Sequence, residues 1–386
     1  MGIKIGICGT GNFAANFIGL YKAHPLVDEV VLADLMVARA REAAAEHGIT
    51  RVMGSMDELC RSDVDGIAIF TQRHLHAPLA MEALNAGKHV LCAVPPALDL
   101  EALAALVATV ERTGLVYMLN ETSYHYPVAY YARQRLQAGD MGKIVYGEGQ
   151  YLHDMSQMYD GYRHSGGKDW KRVAGFPPMF YATHSLGLVL SVTGARATHV
   201  SCLGFADQHE DGIFGAGANL WDNPFSNQTA LMRLSDGSML RINEFRRVGW
   251  DSGSLTSMSL YGTGGCIEQN PISTCWTHLD PPVQQEITPL LKLGAPDGPA
   301  GFQGVASVHP VERLPETFKG LKNGHQGSHY FLVDDFVRSV STGVQPPCHV
   351  WNAARWTVPG LMAHVSAQRG GEMVAVPDFG DGPAAG

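Results

Sequence analysis

Four residues in the middle of the chain have side chains suited to acid–base chemistry: Glu121, Tyr151, Tyr181 and His184. The run Y-A-T-H separates Tyr181 from His184 by three residues, so a helix predicted over 179–192 places both on one face. An imidazole titrates near neutrality and can take a hydroxyl proton while hydride leaves the same carbon. The alternative is that His184 only fills a packed helix face. Glu121 and Tyr151 each follow or end a predicted strand, and we expect them to share one cleft with His184.

A glycine-rich turn near the N-terminus adds a second kind of chemistry. A strand over 3–8 runs into the pattern G-x-G-x-x-A and then into a helix, which is typical of a pyrophosphate site. Asp34 closes the next strand, where a carboxylate can bind a ribose diol and repel a 2′-phosphate. The pattern therefore predicts NAD rather than NADP, the alternative being an ordinary strand–turn–helix with a solvated aspartate. The expected cofactor contacts of this region are Gly9, Thr10, Gly11, Asn12, Phe13 and Asp34.

Composition narrows the class of protein. The chain has 386 residues, 45% of them hydrophobic and 17% charged, which predicts a globular enzyme of two domains. A net charge of −9 argues against nucleic acid as a partner. The seven cysteines are scattered without a C-x-x-C pair, so we expect reduced thiols, no metal site and a cytoplasmic location. There is no signal peptide pattern and no apolar run of membrane-spanning length.

The order of elements predicts two different domains. Strands near 3–8, 30–33, 66–70, 89–92 and 115–119 alternate with helices, which indicates a Rossmann domain with a doubly wound parallel sheet over 1–122. Longer strands follow near 143–153, 197–206, 229–234, 239–245 and 256–261, after a helix near 127–138. The segment 123–386 is therefore predicted to be a substrate-binding α+β domain with an open-faced, mainly antiparallel sheet. An extended excursion over 281–327 and helices near 328–341 and 352–369 complete it.

The whole chain resembles the glucose–fructose oxidoreductase/inositol dehydrogenase (Gfo/Idh/MocA) superfamily. The runs T-Q-R-H-L-H from Thr71, A-G-K-H-V-L-C from Ala86 and G-S-H from Gly327 are similar to signatures of that superfamily, as are A-H-x-S-A and V-P-D-F nearer the C-terminus. The resemblance implies NAD as the cofactor and a homodimer or homotetramer. The H-x-H pair near Thr71 could bind a metal, but the sequence offers no third ligand, and the resemblance implies instead that this loop lies beside the cofactor and the substrate. The further cofactor contacts it implies are Thr71, Gln72, His74, His76, Val94 and Pro95.

One departure from the superfamily bears directly on the reaction. Its dehydrogenases follow the A-G-K-H-V strand with Glu-Lys-Pro, whose lysine helps a substrate hydroxyl lose its proton. Here the sequence at 92–96 is C-A-V-P-P, without an acid or a lysine. Another group must then do that work, or the protein does not catalyse the usual reaction.

A narrower branch of the superfamily lacks the same lysine. The chain resembles the NAD-dependent α-N-acetylgalactosaminidases and related glycosidases, which carry a glutamate like Glu121, a tyrosine in E-G-x-Y-x-H like Tyr151, and Y-A-T-H. The resemblance implies C3 oxidation of a glycoside, C2 deprotonation, elimination of the C1 aglycone, water addition and re-reduction. It assigns His184 to O3, Tyr151 to C2, Glu121 to the sugar hydroxyls or to tuning His184, and Tyr181 to proton transfer or the cleft wall.

The sugar itself is less well defined by the sequence. The basic residues around Trp170 and the pair Arg246-Arg247 allow two interpretations. They are either solvated surface charges or a binding site for an anionic sugar such as a sulfoquinovoside. The candidate substrate contacts are Tyr124, His153, Lys168, Trp170, Lys171 and Arg172. The alternatives to the glycosidase are an NAD-dependent sugar or polyol dehydrogenase that uses His184, and a non-catalytic sugar or cofactor sensor.

Overall fold

The computed structural model describes residues 2–294 and 299–382. The first of its two compact units is built around a six-stranded sheet. Its strands pair in parallel in the order β3-β2-β1-β4-β5-β6, which confirms the Rossmann prediction. The strands are β1 (Ile3–Cys8), β2 (Val27–Ala33), β3 (Val52–Met53), β4 (Gly66–Ile69), β5 (His89–Cys92) and β6 (Tyr117–Leu119). The helices between them are α1 (Ala15–Ala23), α2 (Val37–His47), α3 (Met56–Arg61), α4 (His76–Asn85) and α5 (Leu100–Thr113).

The second unit contains a nine-stranded sheet with the order β14-β13-β12-β11-β7-β10-β9-β8-β15. The pair β7–β10 is parallel and the remaining pairs are antiparallel, which confirms a mainly antiparallel sheet. Its strands are β7 (Ile144–Leu152), β8 (Ala197–Ala206), β9 (Phe225–Leu234), β10 (Met239–Phe245), β11 (Leu255–Gly262), β12 (Gly265–Gln269), β13 (Thr274–His278), β14 (Val283–Glu286) and β15 (Val374–Ala375).

Helices cover one face of this second sheet and leave the other open. The remaining helices of the chain are α6 (Pro127–Gln137), α7 (Tyr159–Gly166), α8 (Trp170–Ala174), α9 (Thr183–Thr193), α10 (Thr288–Leu291), α11 (Ser328–Thr342) and α12 (Val350–Gln368). Helix α9 lies so close to β7 that a Cβ on Gly149 would come within 2.5 Å of the Ser185 carbonyl oxygen. Glycine at 149 therefore sets the spacing between two elements that carry candidate catalytic residues. The open face exposes Leu203, Phe205 and Leu231, and the expected homodimer or homotetramer stays a prediction.

The structure differs from the sequence prediction in one helix boundary and in several short elements. The predicted helix over 179–192 begins at Thr183, and Tyr181 lies in a preceding 3₁₀ turn, Pro178–Tyr181, because two prolines open that segment. Strands β3, β12 and β13 are short and were not predicted. The segment 281–327 is not only an excursion, since it contains β14 and α10. The sequence of β14 is V-Q-Q-E and all four residues are exposed, so no apolar alternation marks this strand. Residues 295–298 of this segment lie outside the described residues.

The chain passes between the two units more than once. The first unit comprises Met1–Tyr130, Pro289–Ala354 and the C-terminal residues from Phe379, and the second comprises Tyr131–Thr288 and Arg355–Asp378. The sequence instead suggested one boundary at 122/123. The reason for the difference is α11, which packs against α1 and β1 although it lies far along the chain. Within the described ranges, no helix combines the length and the apolarity needed to cross a membrane.

Candidate active site

The turn after β1 has the geometry of a dinucleotide site. Gly9 has φ +89°, and a Cβ there would lie 2.7 Å from the Phe70 carbonyl oxygen, so only glycine fits. Ala14, which precedes α1, has no side-chain group to cap the helix, so the first turn can face a phosphate. Gly11 and Asn12 lie on the rim of the turn, whereas the Phe13 ring packs edge-on against Phe17 at 5.2 Å between ring centres. These features fit NAD, and Phe13 serves the turn through its packing.

Asp34 is fixed by the same turn. One carboxylate oxygen accepts hydrogen bonds from the Thr10 backbone N–H (2.9 Å) and hydroxyl (3.0 Å), and the other accepts from the Met36 N–H (2.8 Å). The Arg39 guanidinium lies 3.7 Å away. A carboxylate has about four acceptor positions, so these three hydrogen bonds leave one on Asp34 for a ribose hydroxyl. This arrangement fits the expected role in NAD binding.

Replacing Asp34 should weaken NAD⁺ binding and relax the choice of nucleotide. In Asp34→Ser the lost charged hydrogen bonds should cost about 1.5–3 kcal/mol, or roughly tenfold or more in Kd. The ratio of the Kd for NADP⁺ to that for NAD⁺ should fall, because the carboxylate no longer repels a 2′-phosphate. Calorimetric titration with both nucleotides measures this, and Asp28→Ser, at the exposed opposite end of β2, is the matched control. An unchanged Kd ratio would contradict the role of Asp34.

His76 joins the two loops that follow β4 and β5. Its Nδ1 lies 2.7 Å from the Pro95 carbonyl oxygen and its Nε2 lies 3.1 Å from the Thr71 carbonyl oxygen. Burial lowers the pKa of His76 to about 4. The structure thus joins buried His76 and Pro95 to Thr71, which is partly exposed like Gln72, and leaves His74 exposed beside them. In the part of the chain that the structure describes, no cluster of three or more His, Cys, Asp or Glu is arranged for a metal ion.

We expect His76 to make folding stability fall in acid. Because its pKa is lower in the folded state than in the unfolded chain, the unfolded state binds more protons between pH about 6.5 and about 4. Stability is therefore complete above pH 6.5 and is lost towards pH 4, by up to about 1.4 kcal/mol per pH unit from this group. Urea unfolding at several pH values should show a shallower loss in His76→Gln, which keeps a donor. Exposed His74→Gln should keep the parent slope, and an equal slope in His76→Gln would refute the assignment.

The segment that replaces the superfamily's lysine is closed to solvent. Cys92, Ala93, Val94 and Pro95 are all buried at the carboxyl end of β5. Glu121 follows β6 and is fully buried, and one of its oxygens accepts a hydrogen bond from the Ser123 N–H at 2.9 Å. Tyr124, partly exposed, belongs to the 3₁₀ turn that Glu121 begins. Glu121 and Tyr124 lie in the first unit, whereas Tyr151, Tyr181 and His184 lie in the second.

The structure brings Tyr151, Tyr181 and His184 together. The Tyr151 ring centre lies 5.3 Å from that of His184 and 5.9 Å from that of Tyr181, and Tyr181 lies edge-on to His184 at 5.2 Å. Tyr151 is the penultimate residue of β7, His184 is in the first turn of α9, and Tyr181 precedes that helix. Two phenols and an imidazole in contact form a group that can move protons.

His153 extends this cluster along the end of β7. The Tyr151 hydroxyl and the His153 Nδ1 share a hydrogen bond of 2.8 Å. Burial, followed by the charge of Arg246, lowers the pKa of His153 to about 4. His153 is therefore neutral near pH 7. It forms a hydrogen bond with Tyr151 but places no positive charge beside it.

A buried ion pair that the sequence analysis did not predict lies behind the cluster. Arg246 donates to a Glu244 carboxylate oxygen at 2.8 Å, and the Ser185 hydroxyl donates to the other oxygen. Burial raises the pKa of Glu244 to about 7, although Arg246 and Ser185 oppose the shift. A signal for this pair exists in the sequence, since Leu240 and Ile242 define an inward-facing alternation that Glu244 and Arg246 continue.

The basic residues around Trp170 do not form a pocket of free positive charge. Lys168 and Arg172 are exposed, and the Lys171 ammonium donates to the Asp211 carbonyl oxygen at 2.8 Å. Trp170 is half-buried and packs on Tyr159 at 5.3 Å between ring centres. Arg247 is bound by two carboxylates, those of Asp207 at 3.2 Å and Asp211 at 2.5 Å.

Two family models match the chain. Residues 3–121 match the model described as "Oxidoreductase family, NAD-binding Rossmann fold", named for Gfo/Idh/MocA proteins. Residues 309–384 match "Glycosyl hydrolase 109, C-terminal domain". The first 121 residues therefore contain an NAD-binding Rossmann domain, as the turn geometry indicated.

Two similar proteins have names that refer to glycoside hydrolysis. A "Glycosyl hydrolase family 109 protein" of Streptomyces niveus is 26% identical over 98% of this chain and 77% of its own length. An "Alpha-N-acetylgalactosaminidase" of Bacteroides fragilis is 24% identical over 83% of this chain and 76% of its own.

Among solved structures, a levoglucosan dehydrogenase in complex with NADH and levoglucosan has a TM-score of 0.78 at 18% identity, covering 98% of this chain and all of the other. An apo scyllo-inositol dehydrogenase of Lactobacillus casei has a TM-score of 0.69 at 18% identity, with 97% and 98% covered. These likenesses concern the fold. The family models show that the chain contains a Gfo/Idh/MocA-type NAD-binding Rossmann domain over residues 3–121 and the C-terminal domain of glycosyl hydrolase family 109 over residues 309–384.

Proposed function

We propose that the protein is an NAD-dependent, redox-neutral glycoside hydrolase. The observation that carries the proposal is the contact group of Tyr151, Tyr181 and His184 in a chain that has no lysine at 92–96. When bound, NAD⁺ supplies a reversible two-electron acceptor for C3 of the sugar. The residues that would hold it are those of the turn from Gly9 to Phe13, with Asp34. The glycosyl hydrolase 109 relatives support the same activity.

The side chains of the second unit then divide the proton transfers between them. His184 takes the proton of the C3 hydroxyl while the C3 hydride leaves to the two-electron acceptor that bound NAD⁺ would supply, and the resulting C3 ketone makes the C2 proton acidic. Tyr151 takes the C2 proton, and the aglycone leaves from C1. Water adds to the unsaturated sugar, and the reverse transfers restore the C3 hydroxyl. Tyr181 closes the cluster beside both bases, and His153 holds the Tyr151 hydroxyl.

Residues outside this cluster support the sugar. Glu121 is buried and fixes the turn in which Tyr124 stands, so we propose that it positions that turn, with Tyr124 as a sugar contact. An anionic sugar such as a sulfoquinovoside is disfavoured by the charge pairing: Arg246 and Arg247 already bind carboxylates, and Lys171 binds a backbone carbonyl. We therefore propose an uncharged glycoside, in keeping with the relative named alpha-N-acetylgalactosaminidase.

A panel of aryl glycosides, neutral and sulfonated, tests the proposal. The protein is incubated with each glycoside, with and without added NAD⁺, while aglycone release and the absorbance of reduced nicotinamide are followed together. Aglycone release without net reduction of NAD⁺, fastest on a neutral glycoside, is the expected result. Reduced nicotinamide accumulating with every turnover would instead identify a sugar or polyol dehydrogenase.

A further inference from the structure

Arg246 is a buried cation that lies against two phenol rings. Its side chain is 8% exposed, and its guanidinium carbon lies 4.8 Å from the centre of the Tyr151 ring and 5.6 Å from that of Tyr181. A guanidinium keeps its charge throughout the pH range of folded proteins. A permanent positive charge therefore lies against the face of the proposed C2 base.

Glu244 fixes Arg246 in this position. It faces Tyr151 in the parallel pairing of β10 with β7, is fully buried, and accepts from Arg246 at 2.8 Å and from the Ser185 hydroxyl. A second guanidinium N–H donates to the Phe245 carbonyl oxygen at 3.2 Å. With these bonds made, the guanidinium cannot turn away from the ring without leaving a buried carboxylate uncompensated.

The other groups that face Tyr151 come from each element packed against it. These are His153 directly after its own strand, Tyr181 in the 3₁₀ turn, His184 on α9, Glu244 on β10 and the uncharged Thr256 on β11. His153 is neutral near pH 7, since burial and Arg246 lower its pKa to about 4. The positive charge beside Tyr151 is therefore supplied by Arg246 and not by His153, its hydrogen-bond partner.

We propose that Arg246 is a positioning residue that stabilises the ionised phenolate of Tyr151 and so makes this tyrosine a competent base near neutral pH. The proposal rests on the proposed role of Tyr151 in the glycosidase reaction. In the assisted step, the C2–H bond breaks, an O–H bond forms on Tyr151, and the electron pair moves to the oxygen of the C3 ketone. Arg246 does not touch the sugar and acts only through Tyr151.

Titration of Tyr151 in charge-changing variants tests this role. Protein labelled with ¹³C at the tyrosine phenol carbon is titrated by NMR, and Tyr151→Phe assigns the signal. In Arg246→Gln the pH of half-ionisation should rise by about one unit or more, and in Glu244→Gln it should fall, because the cation then acts without its counter-charge. Arg246→Lys should restore part of the shift. The double variant Glu244→Gln/Arg246→Gln buries no net charge, so it replaces Arg246→Gln in the test if that single variant unfolds. Its pH of half-ionisation for Tyr151 should also lie above the parent value.

The matched control is Arg241→Gln on β10, the strand that Arg246 directly follows. Arg241 pairs with Glu148 at 2.7 Å on the opposite face of the sheet, so its loss should leave the Tyr151 titration unchanged. Shifts of the same sign in Arg246→Gln and Glu244→Gln, or a double variant at the parent value, would overturn the role of Arg246. The titration needs no sugar, so it tests the role of Arg246 independently of turnover. Failure of the parent protein to release aglycone would refute the glycosidase proposal and not the role of Arg246. With an active parent, the acidic limb of its rate–pH profile should move with the titration.

Discussion

Tyr151→Phe should lose exchange of the sugar's C2 proton with solvent and release aglycone about 10²–10⁴-fold more slowly, the range that a positioned acid–base group contributes. The phenyl ring keeps the contacts with His184 and Tyr181, so only the hydroxyl and its hydrogen bond to His153 are removed. Turnover in D₂O, followed by mass spectrometry of the recovered sugar, measures the exchange. Transient reduction of NAD⁺ should persist in this variant, since the C3 step uses His184.

The control for this prediction lies on the same strand. Tyr146 is on the opposite face of the sheet, where its hydroxyl donates to Glu148 at 2.8 Å. Tyr146→Phe should therefore keep both C2 exchange and aglycone release. Full C2 exchange in Tyr151→Phe would show that another group is the base.

Gly149→Ala should both destabilise the protein and disable the cluster. Its Cβ would lie 2.5 Å from the Ser185 carbonyl oxygen, which is helix backbone and cannot turn aside, so α9 must move off β7. Overpacking of this kind costs about 1–3 kcal/mol, and sometimes more. Because His184 is on α9 and Tyr151 is on β7, aglycone release should fall beyond what the loss of folded protein explains. Urea unfolding and activity per folded molecule measure the two effects.

Gly147→Ala provides the comparison on the same face of β7. The nearest atoms there are side-chain methyls, Val189 Cγ1 at 3.1 Å and Leu260 Cδ2 at 3.2 Å, which can shift by a few tenths of an ångström. Gly147→Ala should lower the free energy of unfolding clearly less than Gly149→Ala does, and it should keep the parent activity per folded molecule. Equal losses in both variants would show that Ser185 does not limit the approach of α9.

The sequence was most informative where the chemistry is local. The turn from Gly9 and the carboxylate of Asp34 were predicted because a backbone constraint and a short spacing define them. Tyr151 and His184 were predicted as candidates, although their contact depends on the packing of α9 on β7. The role of Glu244 was not found, because the parallel pairing of β10 with β7 brings it beside Tyr151 across 93 residues of chain.

The structure also changes the interpretation of charge. Arg246 and Arg247 were considered together as an anion site because they are adjacent in the sequence. Successive residues at the end of a strand point in different directions, and each guanidinium found its own carboxylate, Glu244 for the first and Asp207 with Asp211 for the second. Counting basic residues cannot reveal such pairing, because the acidic partners of Arg247 come from a loop about 40 residues earlier.

The repeated passage of the chain between the two units constrains how such a protein can be altered. A cassette cut at 309–384, the span of the C-terminal family model, would carry α11 of the first unit together with all of α12, which begins in the first unit and continues into the second. Exchange of that cassette between relatives would replace part of both cores at once. New sugar preferences should therefore arise in this lineage by substitutions within an intact chain, and chimeras intended to transfer specificity should graft single loops of the second unit.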